Sequence, residues 1–340
     1  MAITRGNEFQ LLDYTGEINK IPRLWNLLDS LGIFETEGVQ TDFVNVDITQ
    51  DKTLPIGDQR RGGERNFNAA AQSTPFTLHM PFFPLDDSIR PSDLQNLRQI
   101  GTADDPARVS ALRLKIMEQL RRKQGATREK SLANALQGLS YAPNGTTTQY
   151  NYYTTFGQTQ VSVDFDFGNA TANPLAKAEI ARASIVDNAQ DGAGAYTVTA
   201  ICGPTWFQKL IDHPMVREAY TFFTSTQDPL RSRNAMGSRD GIYRDFIYGD
   251  VHYIEYRGSF AGQPLLPADQ AFMFPAGIAD MFKVFHGPAD HLDFVNSVGQ
   301  ELYMFEYREQ SGRRVHIESE TAMIAVNYRP ELVIKLTSST

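Results

Sequence analysis

The residues with the most obvious chemical precedent are Asp166-Phe167-Gly168, which match the metal-holding triplet of protein kinases. They sit on an alternating stretch that reads as a strand. The chain has neither a His-Arg-Asp loop nor a glycine-rich loop followed by a strand lysine, so phosphoryl transfer is not expected. Gly192-Ala193-Gly194 falls between a helix and a strand, whereas a dinucleotide loop needs a strand first and a helix second. It reads as a helix terminator. Of the six histidines, His286 and His291 are five apart with Asp290 and Asp293 nearby, a spacing that fits neither His-Glu-x-x-His nor a zinc finger. Cys202 precedes Gly203-Pro204 at the end of an apolar strand, where a thiol is ordinarily buried, and a nucleophile would need a base beside it. Asp164 and Asp166 share one strand face, and an exposed sheet surface explains them better than a carboxylate pair. No catalytic residue, cofactor site or metal site is therefore expected, and the chemistry to look for is that of contact.

Contact chemistry is concentrated in two places. Asp58-Gln59-Arg60-Arg61-Gly62-Gly63-Glu64-Arg65 offers charge and glycine where a core would need apolar residues. The guanidinium forks of Arg60, Arg61 and Arg65 suit carboxylates on a neighbouring molecule, with Gly62 and Gly63 shaping the tip. The second place is the run Arg108 to Lys130, with eight basic residues (Arg108, Arg113, Lys115, Arg121, Arg122, Lys123, Arg128, Lys130) against Glu118 and Glu129. That segment carries +6 in a chain of net charge -8, so the remainder carries -14. A basic strip on an acidic protein faces nucleic acid or an acidic patch of another subunit. Arg121, Arg122 and Lys123 are its densest part, and the acidic neighbour is the favoured reading over DNA.

The elements that position these residues follow from pattern. Val44, Val46 and Ile48 alternate with Asn45, Asp47 and Thr49, and Phe76-Thr77-Leu78-His79-Met80 resumes the pattern after the glycines. This predicts a long hairpin with a polar tip. Asp104 or Asp105 and Pro106 open a helix that meets no second proline before about Gln137. Its apolar stripe is Val109, Leu112, Ile116 and Leu120, and its length is about 45–50 Å at about 1.5 Å per residue. Gln149–Phe156 and Thr159–Phe167 read as a second hairpin. Beyond Leu175, helices alternate with strands: helices at 175–188, 205–211 and 214–222, strands at 196–202, 251–256, 271–274, 303–307, 315–317 and 333–336. A short helix is expected around Ile21–Leu28.

With 340 residues and 41% hydrophobic content the chain suits a folded protein of two subdomains. One cysteine excludes an internal disulfide. The start lacks a cationic segment leading into an apolar run, so no secretory signal is expected. No stretch approaches the roughly 18 apolar residues of a membrane span, so no membrane partner is expected. These features fit a soluble protein made in the cytoplasm.

The run Leu114 to Phe167 resembles the major capsid proteins of lambda-like tailed bacteriophages. Its marks are the basic helix with Ala126-Thr127, the helix end Ala135-Leu136-Gln137-Gly138, the turn Asn144-Gly145-Thr146, and Phe156-Gly157-Gln158-Thr159-Gln160 leading to Val163-Asp164-Phe165. Arg61-Gly62-Gly63, Cys202-Gly203-Pro204-Thr205-Trp206-Phe207, His213-Pro214-Met215-Val216-Arg217 and Tyr328-Arg329-Pro330-Glu331-Leu332-Val333 extend the resemblance over residues 40–340. It implies an α+β chain with the Hong Kong 97-like fold. The expected parts are an N-terminal arm (1–42), an extended hairpin loop (43–80), a peripheral domain (81–170 and 300–340) on a spine helix of about 105–137, and an axial domain (171–299). It further implies self-assembly into pentamers and hexamers of an icosahedral virion head around double-stranded DNA, with scaffold, portal and decoration proteins as partners and assembly in the host bacterial cytoplasm. The competing expectations are a soluble mixed α/β enzyme with a cleft, or a tail-tube or decoration component.

Overall fold

The structure, a computed structural model, describes residues 12–21, 27–50, 61, 72–94, 109–141, 149–189, 196–221, 244–260 and 262–339. The chain begins with β1 (Leu12–Asp13), α1 (Thr15–Ile18), α2 (Leu27–Ser30) and β2 (Glu35–Gly38). Next come β3 (Phe43–Gln50), β4 (Gln72–His79), β5 (Phe82–Ile89), α3 (Pro91–Leu94) and the long α4 (Val109–Leu136). The middle holds α5 (Tyr152–Thr155), β6 (Ser162–Asp164), α6 (Pro174–Ala189), β7 (Thr197–Cys202), α7 (Pro204–Asp212) and α8 (Pro214–Thr221). Strands follow: β8 (Asp245–Tyr248), β9 (Val251–Glu255), β10 (Ser259–Phe260), β11 (Gln263–Pro264), β12 (Gln270–Ala276), β13 (Phe282–His286), β14 (Tyr303–Arg308), β15 (Val315–Asn327) and β16 (Ile334–Thr337).

Two sheets carry the fold. The first runs β1-β14-β15-β13-β2, with β5 also paired to the first half of the 13-residue β15. The second runs β6-β16-β12-β7-β9-β8. Alternation splits each sheet between two layers. In β14, Met304 packs under α4 with Ile116, Met117, Leu120 and Ile317, while Tyr303 and Phe305 pack with Phe294 on the other side. In β12, Phe272 and Phe274 join the core that holds Leu132, Leu136, Tyr152 and Phe282, while Ala271 and Met273 join Trp206, Phe207, Phe165 and Tyr253. Because both faces of β7, β9 and β12 are covered, these strands read as nearly unbroken apolar runs.

The 28 residues of α4 span about 42 Å, and residues 105–108 of the expected helix lie outside the described residues. The helix stops where Gly138 takes φ +78, a left-handed conformation suited to glycine. A Cβ there would stand 2.2 Å from the Tyr153 ring. The first expected hairpin is present, with β3 and β4 antiparallel from Phe43↔His79 to Gln50↔Gln72. Val44, Val46 and Leu78 are buried beneath it, and Asn45 and Asp47 are exposed as the alternation requires.

The second expected hairpin is absent among the described residues. Asn151 accepts from the Tyr153 and Thr154 amides, which caps α5 and turns the chain into a helix. Tyr152 and Phe156 then stack one turn apart, with ring centroids 5.6 Å apart. The return strand β6 instead pairs parallel with β16, so a distant partner outcompetes the local one. Strands β6 and β16 lie in the second sheet with β7, β9 and β12, and β13 lies in the first with β14 and β15. Strand β5 was hidden by Pro81, Pro84 and Pro91. Pro84 is tolerated because β5 is paired only to β15 among the described residues.

Replacing Gly138 by alanine should strain φ and push Tyr153 out of place, costing about 2 kcal/mol or more. Urea unfolding of the unassembled subunit measures this. A loss below about 0.5 kcal/mol, the scale of a neutral surface change, would remove Gly138 as the device that ends the helix.

Candidate assembly surfaces

The basic strip divides into an inner and an outer half. Arg113, Arg121 and Arg128 follow one another at intervals of eight and seven residues, so they fall on the same side of α4. Arg113 grips Glu306 through Nε and, at 2.7 Å, through Nη2, with its guanidinium 5.1 Å from the centre of the Tyr14 ring. The Glu306 hydrogen bond raises the Arg113 pKa, although partial burial opposes it. Arg121 is 6% exposed, ion-pairs with Glu301 at 3.3 Å and donates to Asn19 Oδ1 at 3.2 Å. Arg128 reaches Asp29 at 2.9 Å, His286 Nε2 at 2.9 Å and Thr36 Oγ1 at 3.1 Å. Lys130 lies over the Tyr141 ring at 4.7 Å.

Arg121 therefore does not share a face with Arg122 and Lys123. It serves an internal ion pair, a use that neither the DNA reading nor the neighbour reading of the strip anticipated. The outer half is Lys115, Arg122 and Lys123, all exposed, beside Glu118 and a Leu114 that is 52% exposed. In the hairpin tip, Arg61 is an exposed turn residue, while Arg60, Gly62, Gly63 and Arg65 lie outside the described residues.

The base of the hairpin is held from below. Tyr150 Oη accepts from the His79 amide at 3.0 Å, and Thr77 Oγ1 donates to Asn45 Oδ1 at 2.9 Å across the exposed face. Phe76 packs on Phe156 with ring centroids 5.4 Å apart. The base of the hairpin is thus fixed to the residues that follow α4.

The motifs with catalytic precedent have structural uses. Phe167 packs on Trp206 at 5.3 Å between ring centroids, and Asp166 occupies a turn at φ +49. Partial burial pushes the Asp164 carboxyl up. Hydrogen bonds from Ser339, the Asp166 amide and Thr337 outweigh it and hold that carboxyl below its usual value. Burial pushes the Cys202 thiol well up, away from the reactive thiolate. His291 accepts from the Asp293 amide at 3.2 Å and caps a short helical turn. Gly192-Ala193-Gly194 lies outside the described residues. Among the described residues no group of three or more His, Cys, Asp and Glu side chains is placed to hold a metal ion, and no helix is long and apolar enough to cross a membrane.

Two surfaces escaped the sequence reading. Asp86 and Glu318 stand directly opposite each other across β5 and β15, with Glu320 on the same face. Like charges facing across a ladder are destabilising, so this face is an acidic one held in place by the packing behind it. Leu292, Val295 and Val298 are 90%, 60% and 57% exposed on the loop between β13 and β14. Alternation within 315–320 signals the first surface, since Ile317 and Ser319 are buried while Glu318 and Glu320 are not. No periodicity marks the second.

A long helix packed on a mixed sheet, an antiparallel hairpin and a second mixed sheet make up the Hong Kong 97-like fold of tailed-phage shells. Solved shells share it at low identity. The match to a proposed capsid protein from an E. coli CFT073 prophage has a TM-score of 0.60 at 12% identity, covering 97% of this chain and 100% of that one. The capsid of the cyanophage P-SCSP1u gives 0.54 at 11%, covering 94% and 90%, and that of Ralstonia phage GP4 gives 0.53 at 13%, covering 94% and 96%. In sequence, the major capsid protein of Pseudomonas phage KPP10 is 36% identical over 97% of both chains. That of Salmonella phage Felix O1 is 28% identical over 96% of both. The chain belongs to the family Phage major capsid protein E, which it matches over residues 12–338. It is a structural protein of the virion that associates with itself into the capsid shell.

Arg128→Ala should cost about 1–3 kcal/mol, because it removes the buried guanidinium that ties Asp29, Thr36 and His286 to α4. Arg122→Gln should change stability by no more than about 0.5 kcal/mol. Urea unfolding of the two variants compares them, and equal losses would contradict the division of the strip into inner and outer halves.

Proposed function

We propose that this chain closes the icosahedral head as pentamers and hexamers around double-stranded DNA, with residues 1–42 as arm, 43–80 as the loop that reaches a neighbour, 81–170 and 300–340 as peripheral domain and 171–299 as axial domain. The observation that supports this reading best is the hairpin. Its base is packed on the core, while residues 58–65 offer arginine, glycine and acidic side chains and no apolar one. Such a contact is head-to-tail, between two different surfaces of one chain, and contacts of that kind close into rings. Arg60, Arg61 and Arg65 pair with carboxylates of the adjacent subunit through charge-assisted hydrogen bonds. Arg122 and Lys123 remain available for a neighbouring acidic surface or for packaged DNA. Scaffold, portal and decoration proteins complete the assembly in the host cytoplasm.

Electron microscopy of the chain expressed alone and with its neighbouring phage genes should give closed shells or five- and six-fold rings. Only small soluble particles under both conditions would overturn the pentamer and hexamer reading. Arg61→Glu should abolish shells while leaving the thermal unfolding of the subunit unchanged. Normal shells from that variant would refute the loop contact. Arg122→Gln with Lys123→Gln should block empty shells if the pair meets a neighbour, and should spare empty shells but lower DNA retention if it meets DNA.

A further inference from the structure

One buried ionisable cluster among the described residues has no part in these contacts. It lies where α2, β2, α4, β13 and the end of β9 meet. Glu129 is 2% exposed. Its Oε1 accepts from the Leu28 amide at 3.0 Å and from the Tyr256 hydroxyl at 2.9 Å. Its Oε2 has no hydrogen-bond partner among the described residues.

The titratable and charged groups around it come from every packed element: Asp29 from α2, Arg128 from α4 itself, His286 from β13, and Tyr256 after β9. Arg128 is committed to Asp29 at 2.9 Å. Its Nη1 also points at His286 Nε2 at 2.9 Å, and a guanidinium can only donate, so that imidazole nitrogen is the acceptor and the ring is neutral. Among the described residues Arg128 is thus spent on Asp29, Thr36 and His286, and no salt bridge joins it to Glu129. An ionised Glu129 would be a buried charge whose Oε2 has no hydrogen-bond partner there, which costs far more than a buried neutral carboxyl.

We propose that Glu129 is a proton-operated latch that, when neutral, holds the arm turn Leu27–Ser30 and Tyr256 against the spine helix, and that favours local opening when it ionises. Opening gives the carboxylate the water that the closed junction denies it. Burial is the largest influence on this carboxyl and raises it above its ordinary value of 4.5, outweighing the Leu28 amide, the Tyr256 hydroxyl and the Asp29 amide, which pull it down. For a carboxyl raised by closure, the closed state is most stable below that ordinary value, 4.5. It weakens as pH rises through the raised value. The latch belongs to the single subunit and stands whether or not the pentamer and hexamer reading holds.

Hydrogen exchange of the amides of residues 27–30, measured on the unassembled full-length chain and corrected for intrinsic rates, reads the latch directly. Protection should fall as pH rises above 4.5, with a slope approaching about tenfold per pH unit, the limit for one proton. Glu129→Gln, which keeps the acceptor without the charge, should abolish that slope. Tyr256→Phe removes a donor that favours the charged form in the closed state, so it should leave the onset of the fall in place and carry the fall on to higher pH, with a larger total loss of protection. Protection independent of pH in the natural protein would overturn the latch. So would a Glu129→Gln variant that keeps the natural slope, which would assign the effect to Asp29 or His286. If Glu129→Gln fails to fold, Tyr256→Phe decides, and a fall that ends at the same or a lower pH refutes the latch.

Discussion

A helix that is buried along one side and carries arginines on that side must bring each of those cations a partner, since an unpaired buried guanidinium is among the costliest groups a fold can hold. This constraint organises the first half of the molecule. Glu306 on β14 answers Arg113, Glu301 just before β14 answers Arg121, and Asp29 on α2 answers Arg128. The apolar stripe of α4 supplies the attraction between helix and sheet. The arginine pairs set which residues of the sheet and of the arm stand against each turn. The segments from α1 to β2 are thereby tied to α4 by charge as well as by packing, because Asn19, Asp29 and Thr36 all reach the same row of guanidinium groups.

The second constraint is that one sheet serves two cores. Alternation along β7, β9, β12 and β16 sends successive residues to opposite layers, so Ile254 faces the core of the spine helix and Tyr253 faces that of Trp206. Such a sheet couples the two halves of the subunit mechanically, since neither layer can shift without disturbing strands the other relies on. Exposed groups sit outside this doubly packed centre: Arg61 between β3 and β4, Arg122 and Lys123 on the outer side of α4, and Leu292 on the β13–β14 loop. The same packing is compatible with the 11–13% identity to solved shells, because cores constrain volume and pattern more than residue identity.

Local pattern was enough for the elements whose signal is periodic and whose partners are near in sequence. The unbroken run of α4, the alternation of β3 and β4 around glycine, and helices α6, α7 and α8 with their proline starts were all legible in the chain. So was the family, because the run from Leu114 to Phe167 is distinctive. What the sequence could not decide was pairing at a distance. Strand β6 looked like half of a hairpin, yet its partner is β16, more than 160 residues away. Strand β5 was masked by prolines that only an edge position permits. The basic strip looked like one surface because charge is counted along the chain, whereas burial is decided around the helix. Arg121 and Arg122 are neighbours in sequence, but one faces Glu301 inside the subunit and the other faces outward. The sequence determined the strongly periodic elements and which residues carry charge. Only the tertiary structure decided which of those charges are spent within the subunit, because a salt bridge depends on where the second strand or helix comes to lie.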